Sequence, residues 1–251
     1  MSDMLIETVE GVTTIAFNRP EKKNAITEAM YGAVADALNA AAADETIRAV
    51  IIAGEGPDFT AGNDISTFAA VAAGQADLSE SSVQRFLTAI STFPKPAIAA
   101  VTGRAIGVGV TMLLHCDLVY VADDAMLLMP FIDLGVVPEA GSSRLLPSRI
   151  GHVRAFALFA LGEPLSGADA VTLGIANAAL PANEVRRAAE AAARTLAAKP
   201  ASSLIATKKL MRDAEAIQAA IRADDAAFLK QLSSPEAAAA FAAFAARKKP
   251  A

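Results

Sequence analysis

The sequence predicts an α/β protein whose first three quarters alternate short strands with helices and whose last quarter is helical throughout. Three observations predict it. Short continuous apolar runs of strand length recur at residues 49–53, 97–101 and 118–122. Between the first two stands a helix-period stripe, Val83, Phe86, Leu87 and Ile90. Beyond residue 200 only helical patterning remains, with Ile217, Ile221, Phe228 and Leu232 on one stripe. A length of 251 residues fits one large domain, or one domain with a small appendage. The shift in patterning divides the chain into 1–199, a mixed core, and 200–251, a helical C-terminal region.

Taken in order, residues 5–9 and 12–17 read as two strands around a Glu10-Gly11 turn. Thr27 is placed as the N-cap of a helix reaching Ala43, with Met30, Val34, Leu38 and Ala41 on its apolar face. Strand 49–53 ends at Gly54-Glu55-Gly56-Pro57, and a mobile polar stretch is expected at about 66–82. Phe93-Pro94-Lys95-Pro96 breaks the next helix before strand 97–101. A Gly-spaced turn at 103–109 leads into a helix ending near His115, followed by strands 118–122 and 126–128. From His152 onward the chain is expected to be nearly all helix, apart from a strand-like 175–180.

Composition narrows the function. The chain is 54% hydrophobic with a net charge of -5, so it can bury a large core and carries no dense basic cluster of the kind nucleic acid requires. Its one cysteine, Cys116, excludes an internal disulfide and fits a reducing, cytoplasmic setting. The first residues lack the basic start and apolar block of a signal peptide. The longest apolar run, 237–246, is far short of the ~20 residues that span a bilayer. Neither His115 nor His152 has metal-ligand spacing to a partner, so no metal is expected.

Chemistry could sit in three places. The loop Asp58-Phe59-Thr60-Ala61-Gly62-Asn63-Asp64-Ile65 has small residues that let a ligand approach the backbone, and a free N–H there could bind an anionic oxygen. It reads equally as a surface loop in which Asp64 caps a turn. Gly103-Arg104-Ala105-Ile106-Gly107-Val108-Gly109 precedes a helix, whose first N–H groups favour negative charge. Its G-x-x-x-G-x-G spacing departs from the dinucleotide-binding fingerprint, which leaves an oxyanion donor as the other reading. Finally, Glu139 lies in Leu134-Gly135-Val136-Val137-Pro138-Glu139-Ala140-Gly141. An apolar setting there would make it a desolvated base, whereas a solvated loop would leave it ordinary.

In this order and spacing the segments resemble the crotonase superfamily, the enoyl-CoA hydratase/isomerase family. Asn18-Arg19-Pro20 through Asn24-Ala25-Ile26 resembles its early signature, and Phe59-Thr60-Ala61-Gly62-Asn63-Asp64-Ile65 its first oxyanion loop. Lys95-Pro96-Ala97-Ile98-Ala99-Ala100-Val101 through Gly109, then Cys116-Asp117, resembles the second. Gly162-Glu163-Pro164-Leu165-Ser166-Gly167-Ala168-Asp169-Ala170 and Leu173-Gly174-Ile175-Ala176-Asn177 match a later helix-strand unit. The likeness covers nearly the whole chain.

The resemblance implies a spiral of ββα units followed by helices used for trimerisation, with trimers often paired into hexamers. It implies coenzyme A thioesters as substrates, the thioester oxygen lying between the backbone N–H groups of Asn63 and Val108. Lys22 and Lys23 would stand near the CoA phosphates. Ala25, Ala61, Asp64 and Ile65 would line the path of the nucleotide and pantetheine, and Gly107, Gly109, Thr111 and Phe131 the acyl pocket. No other cofactor, no membrane and no nucleic acid is implied. Thr111 and Phe131 occupy the positions where hydratases carry two glutamates, and neither can take a proton from water at neutral pH. Residues 130–143 instead resemble the peroxisomal-type enoyl-CoA isomerases, in which one glutamate, here Glu139, moves the proton. Its pKa is expected to rise to about 6. Hydration through another acid such as Asp133, a non-catalytic CoA-ester-binding protein and a nicotinamide-binding oxidoreductase are the alternatives.

Overall fold

The computed structural model describes residues 2–64 and 81–247, so most of the polar stretch expected at 66–82 lies outside the described residues. Strands β1 (Met4–Val9) and β2 (Val12–Phe17) form the expected hairpin. After a 3-10 turn at Pro20–Lys22, α1 (Glu28–Ala43) begins where Thr27 accepts a hydrogen bond from the Met30 N–H. Its expected apolar face, Met30, Val34, Leu38 and Ala41, is buried. Strand β3 (Ala49–Gly54) and helix α2 (Ser82–Thr92) follow. Next come β4 (Ala97–Val101), β5 (Arg104–Ile106) and the single turn α3 (Val108–Thr111), which continues as a 3-10 turn to His115. The chain goes on through β6 (Leu118–Ala122), β7 (Met126–Leu128), α4 (Ser142–Ile150), α5 (His152–Ala160), β8 (Leu165–Ser166), α6 (Gly167–Thr172) and β9 (Ala178–Leu180). Four helices close it: α7 (Ala182–Ala197), α8 (Ala201–Met211), α9 (Ala214–Leu232) and α10 (Pro235–Arg247).

The strands build two sheets. The larger runs β1-β2-β3-β4-β6-β9 and the smaller β5-β7-β8. Only the terminal pairs β1-β2 and β7-β8 are antiparallel. The parallel strands β3 and β4 are buried almost end to end, as continuous apolar runs require when both faces are covered. The chain steps from the large sheet to the small one twice, between β4 and β5 and between β6 and β7. That stepping makes the spiral of paired strands. Strand β5 lies inside the segment expected to be only a Gly-spaced turn, 103–109, and two further elements were not legible in the sequence. Strand β8 is only two residues long, and α4 starts ten residues before the helical region was expected because its first turn carries Ser, Ser and Arg rather than an apolar stripe. Among the described residues no helix is long and apolar enough to cross a membrane.

The C-terminal helices pack on the same core. Ile217, Ile221 and Leu232 of α9 are buried. The Asp224 carboxylate of α9 accepts hydrogen bonds from the Ser143 N–H and hydroxyl at the start of α4. Helix α8 differs, for none of its residues is buried, and Leu210 and Met211 are 89% and 79% exposed. Polar tethers hold it instead: Lys208 donates to the Lys95 carbonyl at 2.8 Å and to Asp117 at 2.7 Å.

Asn24 locks together the loops that follow β2 and β3. It is fully buried, at φ +55°, a left-handed conformation that Asn tolerates better than most residues. Its side chain accepts the Arg19 N–H at 2.8 Å and donates to the carbonyls of Glu55 and Asp58 at 2.9 and 2.7 Å. Its own carbonyl accepts the Thr60 hydroxyl at 2.6 Å. Replacing it with Ala strands one donor and two acceptors in the interior. Asn24→Ala is therefore expected to lose about 3 kcal/mol in urea unfolding. A loss well under 1 kcal/mol would show that the loops hold without the clamp.

Candidate active site

Between the two sheets the backbone sets the site before any side chain does. The 58–62 loop runs beside β5 like an extra strand: Thr60 donates to the Arg104 carbonyl and accepts from the Ile106 N–H, at 2.9 and 3.1 Å. One residue pair further on, Ile26 bridges Asn63 in parallel, with Ile26 N–H bonded to the Gly62 carbonyl and Asp64 N–H to the Ile26 carbonyl. In a parallel bridge the central residue's own N–H points the other way. So the Asn63 amide faces away from Ile26, and no described residue accepts its proton. Gly107, at φ +56°, turns the chain from β5 into α3 and gives its own N–H to the Leu128 carbonyl. Val108 is then the first residue of α3, and its N–H likewise finds no acceptor among the described residues, as the start of a helix leaves it. Close packing needs two further glycines. A Cβ on Gly109 would sit 2.5 Å from the Thr60 methyl, and one on Gly62 2.7 Å from the Ile106 carbonyl oxygen.

A cavity of about 110 Å³ lies at these amides. Ala61, Gly62 and Asn63 form one wall and Ile106, Gly107 and Val108 the next. Pro130, Phe131, Leu134, Val136 and Glu139 close the third side, and Phe228 of α9 with Phe241 of α10 complete it. Among the described residues Glu139 is the one ionisable group in that lining.

Glu139 sits in a tight turn before α4, and Ala140 and Gly141 after it are both left-handed, at φ +59° and +70°. His115, fully buried, braces this turn, its Nε2 2.8 Å from the Ala140 carbonyl oxygen. A carbonyl can only accept, so Nε2 carries the proton and Nδ1 faces Arg212. Burial, with Arg212 adding to it, pushes the His115 pKa down to about 3, so the ring is a neutral strut. Glu139 as a whole is buried, 8% exposed. Thr111 Oγ1 donates to its Oε1 at 2.5 Å. Burial pushes its pKa up to about 8; the Thr111 hydrogen bond opposes this, and Asp225 and Asp224 push further the same way. That exceeds the value of about 6 expected from sequence, because one hydroxyl is little compensation for leaving water.

The structure distributes the other sequence candidates over and around the cavity. Phe131 and Gly107 line the cavity with Asn63, Val108 and Ala61. Thr111 and Gly109 stand behind it, buried, one bonded to Glu139 and the other packed on Thr60. Lys22 and Lys23 are exposed on the 3-10 turn, outside the cavity, but Ala61 N–H donates to the Lys23 carbonyl at 2.8 Å, so they border its entrance loop. The carbonyl of half-buried Ala25 and the Asp64 carboxylate both take the Arg19 guanidinium, at 2.8 and 3.2 Å. Ile65 lies outside the described residues. Asp133, the spare acid, is exposed and does not line the cavity. Burial raises the Cys116 thiol to about 12, which leaves it inert at neutral pH.

Sequence reasoning missed Tyr31. It is buried on α1, tilted against Phe86 at 5.3 Å, and its hydroxyl donates to Oδ1 of Asn63. Burial raises its pKa well above the ordinary phenol value, with Glu139 and then Glu28 adding to the effect. The one signal was a polar-tipped aromatic next to Met30 on the buried face.

Comparison with known proteins places the chain. Residues 7–251 match the family model described as Enoyl-CoA hydratase/isomerase. Enoyl-CoA delta isomerase 2 of Rattus norvegicus is 33% identical over 215 residues, 84% of this chain; the chain spans only 55% of that longer relative. A probable enoyl-CoA hydratase of Bacillus subtilis (strain 168) is 30% identical over 254 aligned positions, covering 100% of this chain and 98% of the relative. The solved structure of Pseudomonas aeruginosa OdaA superposes with a TM-score of 0.91 at 42% identity, covering 97% of this chain and 99% of that one. With the spiral of paired strands, these matches show that the chain belongs to the enoyl-CoA hydratase/isomerase family, the crotonase superfamily.

Proposed function

We propose that the chain is an enoyl-CoA isomerase that moves a 3-double bond of a CoA thioester to the 2-position. One observation carries this reading: among the described residues the cavity lining holds one carboxyl group, Glu139, among apolar side chains and next to two amides without acceptors. A 3-enoyl thioester has a C2 proton acidified by both its carbonyl and its alkene. With the thioester oxygen between the Asn63 and Val108 amides, ionised Glu139 takes that proton. The electron pair delocalises over oxygen, C2 and C4 as a dienolate. The carboxylic acid then delivers the proton to C4, and the double bond lies between C2 and C3. No water enters the balance. Each oxyanion donor contributes about 3 kcal/mol in the transition state of such reactions.

Hydration needs a second acid-base group to hold water. Phe131 and Thr111 occupy the positions where the family's hydratases carry glutamates, and Phe131 packs against Phe159, the rings tilted at 54° with centroids 6.0 Å apart. Lys22 and Lys23 stand where a CoA phosphate would meet the chain, and Ala25, Ala61 and Ile65 would follow the pantetheine. A homotrimeric or hexameric assembly built through residues 200–251 would cover Leu210 and Met211.

Two measurements on Glu139→Gln test this. With 3-enoyl-CoA, conversion to the conjugated 2-enoyl ester should fall at least ~100-fold while CoA-ester binding stays within a few-fold of wild type; full activity would overturn the assignment. Hydration of 2-enoyl-CoA by the wild type at a comparable rate would favour the hydratase reading instead. The second measurement is stability against pH. A Glu whose folded pKa is raised from 4.5 to about 8 keeps its proton when folded and loses it when unfolded. Wild-type stability should therefore fall as pH rises from about 5 to 8, and Glu139→Gln should escape that loss. The gap between the two proteins is expected to grow by a few kcal/mol, on the order of one per pH unit. A gap independent of pH would mean Glu139 is solvated.

A further inference from the structure

We propose that Thr111 is a positioning residue for the proton transfer, binding one oxygen of Glu139 so that the other oxygen alone takes the proton from C2 and returns it at C4. The inference rests on the reading of Glu139 as the proton carrier. Thr111 is fully buried on α3, behind the cavity rather than in its lining. Its hydroxyl lies 2.5 Å from Glu139 Oε1 and 3.5 Å from the Val108 carbonyl. The first distance is a strong hydrogen bond and the second is at the limit of one, so the proton of the hydroxyl belongs to Glu139.

That bond has two consequences. It fixes the carboxyl plane and leaves Oε2 as the oxygen with no side-chain donor among the described residues. Both transfers then use one atom on one side of the substrate. The C2–H bond breaks toward Oε2, and the C4–H bond forms from Oε2. The bond also favours the ionised form and so opposes the desolvation that raises the Glu139 pKa. Without it the base would be scarcer still at neutral pH. The other titratable groups facing Glu139 are Tyr31 on α1 and Asp224 and Asp225 on α9. Tyr31 is neutral, and both acids oppose ionisation. Thr111 is the one side-chain donor bonded to that carboxyl among the described residues.

The test is the pH profile of kcat/KM for isomerisation in wild type, Thr111→Val and Thr111→Ser. Valine keeps the shape and removes the hydroxyl; serine keeps the hydroxyl. Thr111→Val is expected to move the acid limb up by about one pH unit, with roughly a ten-fold loss near pH 7 and much less above the limb. Thr111→Ser should keep the wild-type limb. With substrate deuterated at C2, the label found at C4 should also fall in Thr111→Val, because either oxygen can then turn to the substrate or to exchangeable groups. Thr111→Ala, which adds no bulk, gives the same reading if the valine protein does not fold. An unmoved limb in the hydroxyl-free proteins, or an equal shift in Thr111→Ser, would overturn the proposal. Full activity in Glu139→Gln would instead overturn the reading beneath it.

Discussion

Two peptide N–H groups that find no acceptor among the described residues, at Asn63 and Val108, are the constraint around which this structure is arranged. Leaving a backbone donor unpaired costs free energy comparable to a lost hydrogen bond, and folded chains avoid it. Here it follows from register. The Ile26 bridge takes the Gly62 carbonyl and the Asp64 N–H, the Thr60 hydroxyl accepts the Gly62 N–H, and the Gly107 turn commits its own N–H to Leu128, so the donors left over are Asn63 and Val108. The Asn24 clamp and the close glycine contacts hold that register, and Tyr31 ties down the Asn63 side chain.

Opposite these amides the fold spends stability on a buried acid. Glu139 is held there by a turn with two left-handed residues, by a neutral histidine beneath it, and by the Asp224 cap on the helix that follows. In the proposed reaction the two features need each other. A base with a pKa near 8 can remove a C2 proton only if the resulting charge is met at the thioester oxygen. Amides without a dry acid would bind the ester and leave it unchanged. The C-terminal helices join in, since Phe228 and Phe241 close the cavity and Asp224 steadies the acid's turn.

Much of the frame was legible in the sequence because hydrophobic period and turn chemistry are local. The β1-β2 hairpin, the Thr27 cap and the buried strands β3, β4 and β6 follow directly from residue pattern. The candidates Asn63, Val108 and Phe131 came from motif resemblance and Glu139 from its apolar setting as well, and the structure brings them to one cavity. What the sequence hid is non-local. Tyr31 and Asn63 are 32 residues apart, and Thr111 and Glu139 are 28 apart. Helical spacing says nothing of such partners. The same holds for His115, whose role depends on a carbonyl 25 residues away. The polar first turn of α4 carried no apolar stripe, so only the tertiary cap by Asp224 explains why a helix begins there.

The most direct measurement is the vibrational spectrum of a saturated acyl-CoA, labelled with carbon-13 at the thioester carbonyl, bound to the wild-type protein. Such an ester has no alkene to move and reports only on the cradle. Two amides donating to its oxygen should lower the carbonyl stretch below its value in buffer, and the shift should persist in Glu139→Gln, because the donors are main-chain groups. A carbonyl frequency unchanged on binding would contradict the account, for the negative charge would then have nowhere to rest.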